Sequence, residues 1–152
     1  MQYPVCIEPL SHLLCNEGQH SKLQYFTNEV AMNFDLLERQ RLIDGEILAQ
    51  EPTVDFAFGI SEENTKRHPR LVLVEVKLNV ENANNIKRNV INDKFIHSID
   101  LLNPIANTPI YDYKYIVVTK RIQLEMKKKQ CFTHNDKVKI VTVRDLYLEF
   151  WQ

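Results

Sequence analysis

The sequence predicts an α/β fold, a mixed central β-sheet flanked by helices, and three observations carry that expectation. The stretch LVLVEVKL, residues 71–78, is a near-continuous apolar and β-branched run, the pattern of a strand buried on both faces. Apolar residues recur at spacings of three and four before and after it, as on amphipathic helices. The length of 152 residues suits one domain with a core of its own, needing neither disulfide nor metal as a staple.

In chain order, Leu23, Phe26, Val30, Phe34 and Leu37 form one apolar stripe, with Tyr25, Met32 and Leu36 as a narrower second one. The spacing predicts a helix from about Gln19 to Arg39, covered on two sides. Two short strands are expected next, at residues 42–49 and 53–60, separated by Pro52 at a turn or strand start. The polar stretch SEENTKRHPR reads as the loop into the central strand. A second helix is expected from Val80 to Leu102, with Ile91, Phe95, Ile99 and Leu102 on one face and Asn103-Pro104 ending it. YKYIVVT, residues 113–119, reads as a further strand. A lysine-rich segment at 123–129, a strand at 138–143 and a closing helix at 144–151 complete the order. A helix, three strands, a crossover helix and a fourth strand imply a mixed sheet.

Composition narrows the function. Three glycines leave no place for a GxGxxG or Walker-type phosphate loop. Net charge is −1, but residues 1–60 hold three Lys/Arg against nine Asp/Glu, whereas residues 101–152 hold nine against five. An acidic first third and a basic last third suggest a carboxylate-rich pocket for a cation beside a surface for an anion. Cys6, Cys15 and Cys131 show no CxxC spacing and read as reduced, mostly buried thiols. The opening MQYPVCIEPLSHLL has no signal-peptide pattern, and no apolar run approaches a membrane span. A cytoplasmic protein without membrane contact is expected.

The informative feature is a pair of charges inside LVLVEVKL. Strand alternation places Leu71, Leu73, Glu75 and Lys77 on one face. Burying either charge unpaired costs several kcal/mol, about the magnitude that forces a partner. In TVDFAFGI, residues 53–60, Asp55, Ala57 and Gly59 share a face, and Asp55 set beside Glu75 brings two carboxylates together. Adjacent carboxylates repel unless protonated or bridged by a cation. Mg²⁺ or Mn²⁺, with waters completing an octahedral shell, is the natural bridge. Lys77 is then placed to orient or deprotonate a water, or to stabilise charge on phosphate.

Asp55, nineteen intervening residues and Glu75-Val76-Lys77 resemble the PD-(D/E)XK nuclease superfamily. Pro52 lies three residues before the aspartate, whereas the name motif has it adjacent. The resemblance spans about residues 19–119 and implies a restriction-endonuclease-like αβββαβ core, with the C-terminal strand and helix appended to one domain over residues 1–152. It implies a divalent-metal-dependent nuclease hydrolysing phosphodiester bonds in DNA. Asp55 and Glu75 would bind Mg²⁺ or Mn²⁺, and Lys77 would activate the water.

The family often adds a carboxylate from the first helix. Glu29, on the narrower stripe, is favoured over Glu38, and Glu46 is an outsider. Some relatives add a histidine from that helix, for which His20 is a candidate. The second helix of the family can lie along the phosphate backbone, which makes Lys87 and Lys94 candidates for nucleic-acid binding; the alternative is a solvated helix face.

From charge alone, Lys127, Lys128 and Lys129, with Lys120 and Arg121 before them, are candidates for salt-dependent phosphate contacts or for a solubilising loop. Phe150 and Trp151 are expected to dock the last helix. A homodimer or a larger complex follows from resemblance only. Two alternatives stand beside the nuclease. One is a module that kept the fold and lost activity, binding nucleic acid or protein. The other is a plain ion pair between Glu75 and Lys77.

Overall fold

The computed structural model describes residues 6–16, 29–60, 70–103 and 108–151. Strands β1 (Ile7–Pro9), β2 (Val30–Asn33), β3 (Phe56–Ile60), β4 (Arg70–Lys77), β5 (Lys114–Val118) and β6 (Val138–Val141) form one six-stranded sheet in that spatial order. β1 to β4 pair antiparallel, and β4–β5 and β5–β6 pair parallel. The helices are α1 (Leu10–Asn16), α2 (Phe34–Ile43), α3 (Arg88–Leu102), α4 (Lys120–Lys129) and α5 (Val143–Phe150). The fold is therefore α/β on a mixed open sheet.

Strand alternation sorts the core into two layers. Met32, Ala57, Leu73, Ile116 and Val118 pack under α2, α3 and α4, through Phe34, Leu37, Ile91, Phe95, Ile122 and Met126. Phe56, Phe58, Val72, Val74, Val76 and Val117 pack under α1 and α5 on the opposite face. β4 reads as buried on both faces because a helix layer covers each. Phe150 and Trp151 close this second layer against Phe58, with ring centroids at 5.3 and 4.6 Å. Cys6 and Cys131 are free thiols, and burial, with Glu8 nearby, pushes the Cys6 thiol up and away from reactivity. No helix among the described residues is long and apolar enough to cross a membrane.

Three expected elements differ. The long first helix does not extend through residues 30–33, which form β2; residues 17–28, with His20, lie outside the described residues. Val30 and Met32 each fit one of the two helical stripes, yet Met32 pairs with both Ile7 and Ala57, and this pairing overrides local pattern. Asn33 then starts α2, its Oδ1 accepting from the Leu36 N–H at 3.2 Å.

The strand expected over 42–49 is absent. Leu42 and Ile43 end α2, and Gly45, at φ +76°, turns the chain away. The Gly45 and Glu46 N–H groups return to the Leu42 and Arg41 carbonyls, the hydrogen bonds of a Schellman stop. The helix expected from Val80 begins only at Arg88. Asn82 accepts from the Asn84 N–H at 2.9 Å and closes a separate 3₁₀ turn over Ala83–Asn85.

Candidate functional site

β3 and β4 pair with Phe56 opposite Val74 and Ala57 opposite Leu73. Continuing that register one residue sets Asp55 opposite Glu75, on the face that carries Ala57 and Leu73. The junction is hydrogen-bonded, the Val76 N–H donating to Asp55 Oδ2 at 2.6 Å.

Glu75 is buried, at 1% exposure. A carboxylate there demands compensation. Two ammonium groups supply it at the same oxygen: Lys94 Nζ at 2.8 Å and Lys77 Nζ at 3.4 Å from Oε1. The other oxygen, Oε2, is buried and has no hydrogen-bond partner. A pocket of about 420 Å³ opens beside this group, with Asp55, Lys94, Asn33, Asp35 and Glu51 on its walls. Asp55 and Lys94 thus link the recess to Glu75 and Lys77, which do not line it.

Lys94 belongs to this group rather than to a solvated helix face. It follows the buried Ile91 by three positions, one turn along the same side of α3, and reaches the sheet from there. His97 and Ser98 continue that polar face. Ser98 Oγ accepts from the Val54 N–H at 3.0 Å and donates to the Lys94 carbonyl at 2.7 Å, tying the lead into β3 to α3. His97 stands between two acids, with Nδ1 at 2.6 Å from Glu51 Oε2 and Nε2 at 3.5 Å from Glu38 Oε1. Sequence alone gave neither His97 nor Ser98 a role. Their one available signal was spacing, since Ser98 lies three residues after the buried Phe95.

The helix carboxylate resolves differently from expectation. Glu29 is not helical; it immediately precedes β2, and its carbonyl accepts from the Leu10 N–H at 2.9 Å. It lies two residues before Ala31, whose side chain packs on the face opposite Asp55. Glu38 is the helical one, on α2, 2% exposed and held by the Glu51 N–H at its Oε2. Glu46 lies past the helix end and pairs with Arg41 Nε at 3.2 Å.

The basic residues fall at the far ends of α3 and α4. Lys87 precedes α3 and is exposed, as are Lys127, Lys128 and Lys129 at the end of α4. α4 lies along residues 81–85: Arg121 donates to the Glu81 carbonyl at 2.6 Å, the Ala83 N–H donates to Glu125 at 3.3 Å, and Lys129 reaches Asn84. The two basic segments are therefore neighbours. Arg88 lies beside them, clamped by Asp136 in two hydrogen bonds of 2.7 and 2.8 Å. That pairing, with the Thr133 N–H, holds the Asp136 carboxyl well below the usual range.

No group of three or more His, Cys, Asp or Glu side chains among the described residues is arranged to hold a metal. A two-carboxylate site does not need one, because Mg²⁺ is commonly held by one or two carboxylates with waters and substrate phosphates. Comparison with models of known families, with curated proteins and with solved structures finds no match to this chain.

Proposed function

We propose that the protein is a divalent-metal-dependent nuclease that hydrolyses phosphodiester bonds, with DNA as its substrate. The observation that carries this reading is Glu75: a buried carboxylate with one oxygen neutralised by two lysines and the other unpartnered, opposite Asp55 at the edge of a pocket. An unpaired buried oxygen costs about 1–3 kcal/mol or more when charged. A cation would satisfy it. Asp55 and Glu75 would hold Mg²⁺ or Mn²⁺, whose chemistry is to neutralise phosphate charge and make water acidic.

The chain's own groups do the remaining work. Lys94 and Lys77 fix the Glu75 carboxylate, and Lys94 presents its ammonium at the pocket wall, where a phosphate oxygen would meet it. Val76 N–H orients Asp55. Glu29 is not included, because it leads into β2 two residues before Ala31, which packs on the sheet face opposite Asp55. The neighbouring Lys87 and Lys127–Lys129 supply a cationic approach for the sugar-phosphate backbone.

The antiparallel β2–β3–β4 run followed by α3 and the parallel β5 supports the PD-(D/E)XK resemblance. α2, inserted between β2 and β3, departs from its αβββαβ order. The test is cleavage of supercoiled and single-stranded DNA in Mg²⁺ and Mn²⁺. Loss of cleavage in Asp55→Ala and Glu75→Ala, with the fold retained, supports the assignment; cleavage at the wild-type rate in either overturns it.

One observation favours a second function, an inactive nuclease-fold module that binds nucleic acid. Glu75 is already charge-compensated without a metal. Under that reading the triad only fastens α3 to the sheet, and DNA binding persists with no cleavage in any metal.

A further inference from the structure

Three buried side-chain atoms among the described residues lack a hydrogen-bond partner: Glu75 Oε2, Glu38 Oε1 and His97 Nε2. The last two face each other at 3.5 Å. On the other side of the ring, Nδ1 meets Glu51 Oε2 at 2.6 Å. A carboxylate offers only acceptor oxygens, so the Glu51 contact draws on an N–H at Nδ1, whereas Nε2 and Glu38 Oε1 face each other without a hydrogen bond until Nε2 also carries a hydrogen. A neutral ring has one N–H and serves one acid; only the imidazolium serves both.

Glu51 opens the segment that leads to Asp55, and that segment is pinned at three points. Its Glu51 N–H donates to Glu38 at 3.2 Å, its Glu51 carboxylate meets His97, and its Val54 N–H donates to Ser98. Glu51, Pro52, Thr53, Val54 and Asp55 also form one wall of the pocket beside Lys94. The charged groups around His97 are Glu38 and Arg41 from α2, Glu51 from the segment itself, and Asp93, Lys94 and Asp100 one turn away on α3.

We infer that His97 is a protonation-controlled latch: its imidazolium clamps Glu38 and Glu51 together and so holds the Asp55-bearing wall against α3. The latch is complete when both ring nitrogens of His97 carry a hydrogen and has a single arm when only one does. It regulates the proposed metal site, and its significance for cleavage rests on that reading. The clamp itself does not.

The test is amide hydrogen exchange at Glu51 and Val54, corrected for intrinsic exchange, across the pH range in which His97 titrates by NMR. Opening of this segment is expected to rise roughly tenfold as the ring deprotonates, the loss of one charge-assisted hydrogen bond. Glu51→Gln alters an exposed side chain and retains the fold; it should open the segment at low pH and remove most of the pH step. His97→Gln should remove the step altogether. Protection that stays flat across the His97 titration, or a full step retained in Glu51→Gln, overturns the latch. Mn²⁺ affinity, measured in the same samples, should fall as the segment opens. A wild-type chain that binds no Mn²⁺ overturns the metal site instead, and the exchange data still decide the latch.

Discussion

Two acidic groups in this protein, the half-buried Asp145 and the buried Glu75, are handled in opposite ways. Asp145, in the first turn of α5, is satisfied by its own capping box and by Gln123 of α4. The Thr142 N–H and Gln123 Nε2 reach its Oδ2 at 3.1 and 2.9 Å, and its own N–H returns to Thr142 Oγ1 at 3.1 Å. Burial pushes the Asp145 carboxyl up, but these hydrogen bonds outweigh it, and the group sits below the ordinary carboxylate range. Glu75 has two cations at one oxygen and nothing at the other. A capping box completes itself from neighbours in sequence. The Glu75 group is assembled from β4 and α3, and an acceptor is left over. The difference separates an acid that builds a helix end from one that keeps an unpartnered oxygen.

Removing each acid should sharpen the contrast. Glu75→Ala or Asp55→Ala should reduce metal-dependent cleavage to background. Glu75→Ala should also cost about 3 kcal/mol of stability, because Lys77 and Lys94 lose their common partner. Carboxylate repulsion alone would give the opposite sign. Urea unfolding of the metal-free variants reads the stability term.

Changing Lys127, Lys128 and Lys129 together to Ala should weaken DNA binding similarly across sequences. The slope of log K against log salt should flatten by about 0.9 for each phosphate contact removed. Binding titrations in Ca²⁺ at several salt concentrations measure it. An unchanged slope would assign the backbone track to Lys87 and its surroundings.

Thr142→Ala removes the cap that Asp145 completes and should cost about 1 kcal/mol with no effect on cleavage. The smallest effect concerns acid. Asp136 and Asp145 both titrate below the unfolded carboxyl value, so their contribution is present above that value and is lost as pH falls through their folded values. Thermal melting between pH 5 and pH 2 should therefore fall less steeply in Asp136→Asn than in wild type.

Much of the sheet was legible because its strands carry their own signals. LVLVEVKL and YKYIVV announce β4 and β5, and alternation sorts Asp55 with Ala57 and Glu75 with Leu73, while the register that sets the two acids opposite each other comes from the β3–β4 pairing. β2 was not, because Val30 and Met32 suit a helix as well as a strand, and only pairing with β1 and β3 decides between them. Gly45 marked the end of α2, but the apolar Leu42, Ile43 and Leu48 around it imitate a strand; Leu48 is in fact fully exposed. The α3 contribution to the site was hidden for another reason. Lys94, His97 and Ser98 look like solvated helix positions until a sheet lies beneath them, and charge pairing across 19 residues, as between Lys94 and Glu75, has no local pattern.

Mn²⁺ titration followed by thermal melting tests the central claim most directly, that Glu75 and Asp55 form a cation site. Binding at a hundredfold excess over Kd stabilises the folded state by about 2.7 kcal/mol, a rise in Tm of roughly 5–10 °C at this chain length. The wild-type protein should show that rise and Glu75→Gln should not. No rise in the wild type, or an equal rise in Glu75→Gln, would contradict the site and leave the Glu75–Lys77–Lys94 triad as a fastening between helix and sheet.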